Sequence, residues 1–255
     1  MAGLKESQGR LDIAGIGAAG ARLSRAEAPA PPAAGVEGHR SRMRVRLLTA
    51  GPDALADYEL LEMILFLAVP RRDTKPIARA LLAAFGSFAG AVAAPLTELR
   101  AIDGLGEAGA AALKTIHAAA LRLARAEVTG RPVLNNWDRL MDYLHAVLAR
   151  ERVEQVRVLF LDTRNRLLAD EVQGRGTVNH TPVYPREVVR RALELRASGF
   201  ILVHNHPSGD PTASPEDVAM TAEVKAAARA LDLKLYDHVI IGNGRWTSLR
   251  REGLL

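Results

Sequence analysis

Cysteine is absent from all 255 residues. That excludes a disulfide framework and every thiolate metal site, so any metal must be held by His nitrogen or by Asp, Glu or Ser oxygen. No apolar run approaches the roughly 20 residues needed to span a bilayer. The longest candidate, Leu60 to Val69, is interrupted by Glu62 and reads as a buried helix. Residues 1–20 scatter charges among Gly and Ala, without the compact apolar segment and cleavage pattern of a secretory signal. The expectation is a soluble cytoplasmic protein with no membrane contact. Neither charge sign dominates: 34 basic against 29 acidic residues give +5. That balance permits contact with nucleic acid without demanding it.

Composition shifts along the chain. Residues 1–38 are rich in Ala, Gly and Pro and hold no aromatic residue. Such a segment cannot bury enough apolar surface to offset its ordering entropy, so a disordered arm is expected. The run His39 to Arg46 follows, with Arg40, Arg42, Arg44 and Arg46, and reads as a solvated basic segment unless nucleic acid is the partner. Helical periodicity begins at Leu47 and lasts to Glu127. One helix spans the Leu55 to Phe66 run with Asp57 as N-cap. A second covers Pro76 to Phe85 behind Thr74 as N-cap and stops at Gly86. A third, short one lies near Leu96 to Ala101, and a long alanine-rich helix follows Asp103-Gly-Leu-Gly.

A turn at Thr129-Gly-Arg-Pro divides an all-helical domain, residues 39–129, from an α/β domain, residues 133–255. In the second domain Asn135 or Asn136 caps a helix from Trp137 to about Ala149. Val156 to Leu161 and Leu167 to Val172 form a hairpin around Thr163-Arg-Asn-Arg. Pro185 opens a helix to about Ser198, Phe200 to Val203 is a short buried strand, and Glu216 to about Leu231 is helical. Lys234 to Ile241 and Trp246 to Leu249 close the chain as strands around a Gly242-Asn-Gly turn.

The informative stretch runs from Phe200 to Asp217. Residues i and i+2 of a strand share a face, so His204 and His206 can offer two imidazoles to one ion. Seven residues with two prolines and a glycine then force the chain to turn before Ser214. Ser214-Pro-Glu-Asp reads as an N-cap with proline at the first helical position, which sets Asp217 on the first turn facing the strand end. Two histidines and one carboxylate leave a fourth tetrahedral position open, the arrangement of catalytic zinc.

This segment resembles the JAMM motif of MPN-domain metalloproteases: H-x-H-P, seven residues, S-x-x-D and an upstream glutamate. More closely, His204-Asn-His-Pro-Ser-Gly, Pro185-Arg-Glu, Tyr236-Asp-His and the closing Gly253-Leu-Leu resemble the bacterial RadC family, over about Arg42 to Leu255. The resemblance implies an MPN-type α/β (α+β) domain that carries Zn2+ on His204, His206 and Asp217. It makes Ser214 a hydrogen-bond donor to the oxyanion or the attacking water. It places the general base at Glu154, just before the first core strand, with Glu187 and then Glu151 as alternatives. The implied function is a zinc-dependent hydrolase of peptide or isopeptide bonds with a peptide or protein substrate, and the family name implies a link to DNA repair.

The rival reading is a DNA-binding accessory protein whose metal is structural or serves nuclease-like chemistry; a scaffold is the third. Gly104-Leu-Gly, ahead of a small-residue helix with Lys114, resembles a helix-hairpin-helix turn, in which Gly104 and Gly106 would offer backbone amides to DNA phosphate. Asp103 and Glu107 beside it would repel that phosphate. His238 reads as a hydrogen-bonded histidine in a strand, and His180 as an exposed loop residue.

Overall fold

The computed structural model describes residues 36–176 and 183–255. The amino-terminal part is helical: α1 (Val36–Ala50), α2 (Asp57–Ala68), α3 (Lys75–Phe85), α4 (Phe88–Ala93), α5 (Leu96–Leu99) and α6 (Gly106–Val128). Leu61, Leu65, Leu81, Leu99, Leu105 and Leu113 are fully or almost fully buried among them, one cluster that α2, α3 and α6 build together.

The first helix corrects two expectations. Of the arm expected over residues 1–38, residues 1–35 lie outside the described residues, but Val36 to Gly38 are helical, and helix begins well before Leu47. The cause lies in Arg40, the first arginine of the run read as solvated. It is 7% exposed and donates from Nη2 to Val69 O (2.8 Å) and Arg72 O (2.6 Å), and from Nη1 to Pro70 O. Those carbonyls end α2 and begin the loop after it, where no helical donor is available. Arg42, Arg44 and Arg46 remain exposed.

Smaller corrections concern caps. Asp57 lies inside the first turn of α2, where Glu59 reaches back to the Ala56 N–H at 2.9 Å. Thr74 occupies the N-cap position of α3 without a side-chain bond, and Asp73 takes the Lys75 N–H at 3.0 Å. Helix α4 is not expected from the sequence; Ser87 caps it by accepting from Gly90 N at 3.0 Å. At the turn expected to divide the two domains, Thr129 bridges to Leu167 and Pro132 to Arg166.

The carboxy-terminal part contains α7 (Trp137–Leu148), β1 (Gln155–Leu161), β2 (Leu167–Arg175), α8 (Pro185–Glu194), β3 (Gly199–Asn205), α9 (Pro215–Arg229), β4 (Lys234–Ile241) and β5 (Trp246–Ser248). The five strands form one mixed sheet in the order β2-β1-β3-β4-β5, with β3 and β4 parallel and the other neighbours antiparallel. This is the α/β architecture that the resemblance implies. Helix α7 packs Leu140, Leu144 and Leu148 on one face, against Leu159, Ile201 and Val203. Helices α8 and α9 cover the other, where Val188, Ala192 and Val224 meet Val158, Phe160 and Leu202.

Strand β3 is central and buried along its whole length. With helices on both faces its sequence carries no polar alternation, only the run Phe200-Ile-Leu-Val. Each of those side chains contributes roughly 1.5–3 kcal/mol on burial, so the strand that delivers the histidines is anchored in the core along its whole length. Among the described residues no helix is long and apolar enough to cross a membrane.

Candidate metal centre

His204 and His206 leave β3 towards the α8 and α9 face, while Asn205 between them turns to the α7 face. His206 keeps one further ladder bond, donating its N–H to Ile241 O at 3.0 Å. The chain then folds back over the turn between β4 and β5. Gly209 takes φ +84° there, and its carbonyl accepts from Asn243 N at 3.0 Å. A Cβ at Gly242 would lie 2.4 Å from that carbonyl oxygen, so only glycine lets the two loops meet.

Helix α9 supplies the third side chain. Ser214 caps it, with Oγ accepting from Asp217 N at 3.1 Å, and Pro215 fills the first position. In return Asp217 Oδ2 accepts from Ser214 N at 2.8 Å and from Ser214 Oγ at 2.7 Å. Those two bonds hold Oδ2, and Oδ1 faces His204.

His204 Nε2 lies 3.0 Å from His206 Nε2 and 3.1 Å from Asp217 Oδ1, and His206 Nε2 lies 3.5 Å from Asp217 Oδ2. Among the described residues this is the one trio of metal-ligating side chains whose ligand atoms fall within 4.8 Å of one another. Tetrahedral zinc with bonds of about 2.0–2.1 Å sets its ligand atoms about 3.3 Å apart. The observed edges fall on both sides of that value, so the residues fit the ion.

The electrostatics agree. Although burial opposes it, the imidazoles of His204 and His206 hold the Asp217 carboxyl far below the usual carboxylate range. Asp217, against the opposing effect of burial, holds His206 above the usual histidine range, helped by the Asp210 carbonyl and by the charge of Glu154. Three electron-rich atoms aimed at one point require a cation between them, a proton or a metal. His206 Nδ1 donates to Asp210 O at 2.8 Å, which leaves its Nε2 for that cation. His238, in β4, is fully buried, and burial and then His204 push it well below the usual range. Its Nε2 lies 2.8 Å from His204 Nδ1, so it is a hydrogen-bonded strand histidine as read from the sequence.

Glu154 is half-buried directly before β1. Val156 pairs with His204 where β1 and β3 meet, and Glu154, two residues before it, is near enough for its charge to act on His206. Glu187 sits in the first turn of α8, ion-paired with Arg186 at 3.4 Å and Arg190 at 3.1 Å. Glu151 is exposed, and its charge acts on His117. His180 lies outside the described residues.

Sequence reasoning missed Asn205. It is 1% exposed, its Oδ1 accepts from Gln155 N at 3.0 Å, and its Nδ2 donates to Glu151 O at 3.2 Å and Val153 O at 3.3 Å. It thereby grips the backbone on both sides of Glu154. The only signal was its place between the two histidines, where strand alternation turns it the other way.

A cleft of about 420 Å3 opens beside the His206-Pro-Ser loop, lined by Pro95, Arg150, Arg152, Pro207, Ser208 and Asn243, so that helical and sheet regions both border it. Gly104, in the turn between α5 and α6, and Gly106, the first residue of α6, are the candidate DNA-contacting residues and take φ +76° and +64°. Lys114 donates to Ala94 O at 2.9 Å and Ala93 O at 3.4 Å, which ties α6 to the end of α4.

Comparison with known proteins agrees with this anatomy. A sequence profile described as the RadC-like JAB domain matches residues 134–254, and one described as UPF0758 N-terminal matches residues 38–111. A UPF0758 protein of Rhodobacter capsulatus is 59% identical over 213 residues, covering 84% of this chain and 100% of that protein. A UPF0758 protein of Ruegeria pomeroyi is 53% identical over 220 residues, covering 86% and 98%. The chain belongs to the UPF0758 (RadC) family, with a JAB/MPN domain in its carboxy-terminal half.

Proposed function

We propose that this protein is a zinc-dependent hydrolase that cleaves peptide or isopeptide bonds. The observation that carries the reading is the convergence of His204 Nε2, His206 Nε2 and Asp217 at zinc-like spacing, beside a half-buried Glu154. His204, His206 and Asp217 would hold zinc, which would supply Lewis acidity to a carbonyl and to water.

The chain's own residues do the rest. Glu154 takes the proton of the attacking water and returns it to the leaving amine. Ser214 turns its hydroxyl about one single bond, from Asp217 Oδ2 to the oxyanion, while its N–H stays on Oδ2 and keeps the carboxylate oriented. The cleft of about 420 Å3 supports a polypeptide substrate, since it is lined by Pro207 and Ser208, which directly follow His206. Its border includes Arg150 and Arg152, side chains suited to peptide carbonyls and carboxylates.

Zinc-loaded full-length protein assayed on peptide and isopeptide-linked substrates tests the reading. Wild type cleaves; Glu154→Gln keeps its zinc and loses hydrolysis. A zinc-loaded wild type that cleaves no amide substrate refutes the reading, and loss of hydrolysis in Glu187→Gln instead moves the base.

A second reading, DNA contact through the turn at Gly104 and Gly106, draws on the Arg72 guanidinium, whose Nη2 lies 3.1 Å from where a Gly104 Cβ would stand. Salt-dependent DNA binding that weakens in Arg72→Ala supports it; equal binding by that variant refutes it.

A further inference from the structure

Behind His204 runs a chain of hydrogen bonds that the proposed hydrolysis does not use. His204 Nδ1 lies 2.8 Å from His238 Nε2, His238 Nδ1 lies 2.5 Å from Thr221 Oγ1, and Thr221 Oγ1 lies 2.5 Å from the Asp217 carbonyl oxygen. His204 and His238 are 0% exposed and Thr221 is 1% exposed, so solvent does not enter the chain.

The far end fixes the direction of every bond. A carbonyl only accepts, so the one hydroxyl proton of Thr221 goes to Asp217 O, the bond a helical threonine makes one turn back. Thr221 Oγ1 then accepts from His238, which puts a hydrogen on His238 Nδ1. A fully buried imidazole is neutral and carries one N–H. His238 Nε2 is therefore bare and accepts from His204 Nδ1–H. What remains on His204 is the Nε2 lone pair, aimed at His206 and Asp217. The reverse direction would set the N–H of His204 on Nε2, facing Asp217 Oδ1, and leave that nitrogen no lone pair for a metal. It would also leave the Thr221 and Asp217 oxygens 2.5 Å apart with no hydrogen between them.

We propose that Thr221 and His238 are positioning residues, a one-way relay that locks His204 in the tautomer whose Nε2 can take a metal. His206 needs no such device, because a backbone carbonyl already holds its Nδ1–H. His204 is inside the sheet, and the relay carries a carbonyl's directing effect to it across β4 from α9. The carbonyl belongs to Asp217, so one helical turn both supplies the third ligand and sets the proton of the first. The use of the relay rests on the metal-centre reading; the tautomer itself does not.

Long-range proton–nitrogen correlation spectra of the full-length metal-free chain read the tautomer, and zinc titration against a competing chelator reads the consequence. Wild type shows His204 protonated on Nδ1 and bare on Nε2. Thr221→Val gives a mixture of His204 tautomers and weakens zinc by about 10–100-fold, and Thr221→Ser restores both. His204 protonated on Nε2 in wild type overturns the relay, and this result needs no variant. A folded Thr221→Val that keeps wild-type tautomer and affinity overturns it too, as does one that loses zinc with the tautomer unchanged. A wild type that binds no zinc, yet shows Thr221-dependent Nδ1 protonation of His204, refutes the hydrolase reading and leaves the relay standing.

Discussion

Asn205 gives the sharpest separation between holding the metal and placing the base. Replacing it by Ala removes the acceptor of the Gln155 N–H, a buried group in a residue 4% exposed. Leaving that donor unsatisfied costs about 1–3 kcal/mol. The two lost donors to Glu151 O and Val153 O matter less, because Glu151 and Val153 are exposed and water can replace the amide. With a net worth of about 0.5 kcal/mol each at that exposure, the whole loss is about 2–4 kcal/mol, a large share of the 5–15 kcal/mol typical of a domain. Urea unfolding of metal-free wild type and Asn205→Ala measures it. The backbone carrying Glu154 loses its anchor, and a shift of about 1 Å in a reacting group costs on the order of 100-fold in rate. Zinc affinity stays at the wild-type value, because Asn205 points away from the face that carries His204 and His206. A stability loss below about 0.5 kcal/mol, or loss of zinc in the variant, would refute the argument.

Three further outcomes follow from named contacts. Zinc has to displace the proton that Asp217 helps His206 retain above the ordinary 6.5. Apparent zinc affinity therefore declines as pH falls through the raised His206 value, starting above 6.5, and a flat affinity between about pH 8 and 6 contradicts this. Burial first, and then Asp170, hold the Tyr143 hydroxyl above its ordinary 10.0, so the unfolded chain releases that proton before the folded one does. Its stabilisation is full below 10.0 and is lost as pH rises beyond it. Tyr143→Phe removes that alkaline dependence and costs about 1–3 kcal/mol at neutral pH, since Asp170 loses a donor; denaturant midpoints at both pH values check the pair. Arg40→Ala, which orphans three carbonyls at the end of α2, destabilises the helical region by about 2–4 kcal/mol, whereas Arg44→Ala changes it by less than about 0.5.

The cluster of His204, His206 and Asp217 was legible because short-range rules place its members. Strand alternation pairs His204 with His206, and a serine cap followed by proline puts Asp217 on the first turn of α9. The same local rules found β1, β2, α7 and the closing strands to within a few residues. What stayed hidden depends on partners distant in sequence. Asn205 acts on a residue 50 positions earlier, and Thr221 matters because β4 brings His238 against it. Arg40 looked like part of a solvated charge run, since nothing local announces that the end of α2 will present carbonyls to it. Helix α4 is only 6 residues long with Gly90 inside, too short for periodicity to register.

The central claim is that His204, His206 and Asp217 hold zinc. Elemental mass spectrometry of the purified full-length protein, wild type beside His206→Ala and Asp217→Ala, tests it most directly. The account predicts about one zinc per wild-type chain and its loss in both variants, since the remaining two ligands do not close a tetrahedral site. A wild type that carries no metal even after reconstitution, or variants that retain it fully, would contradict the account.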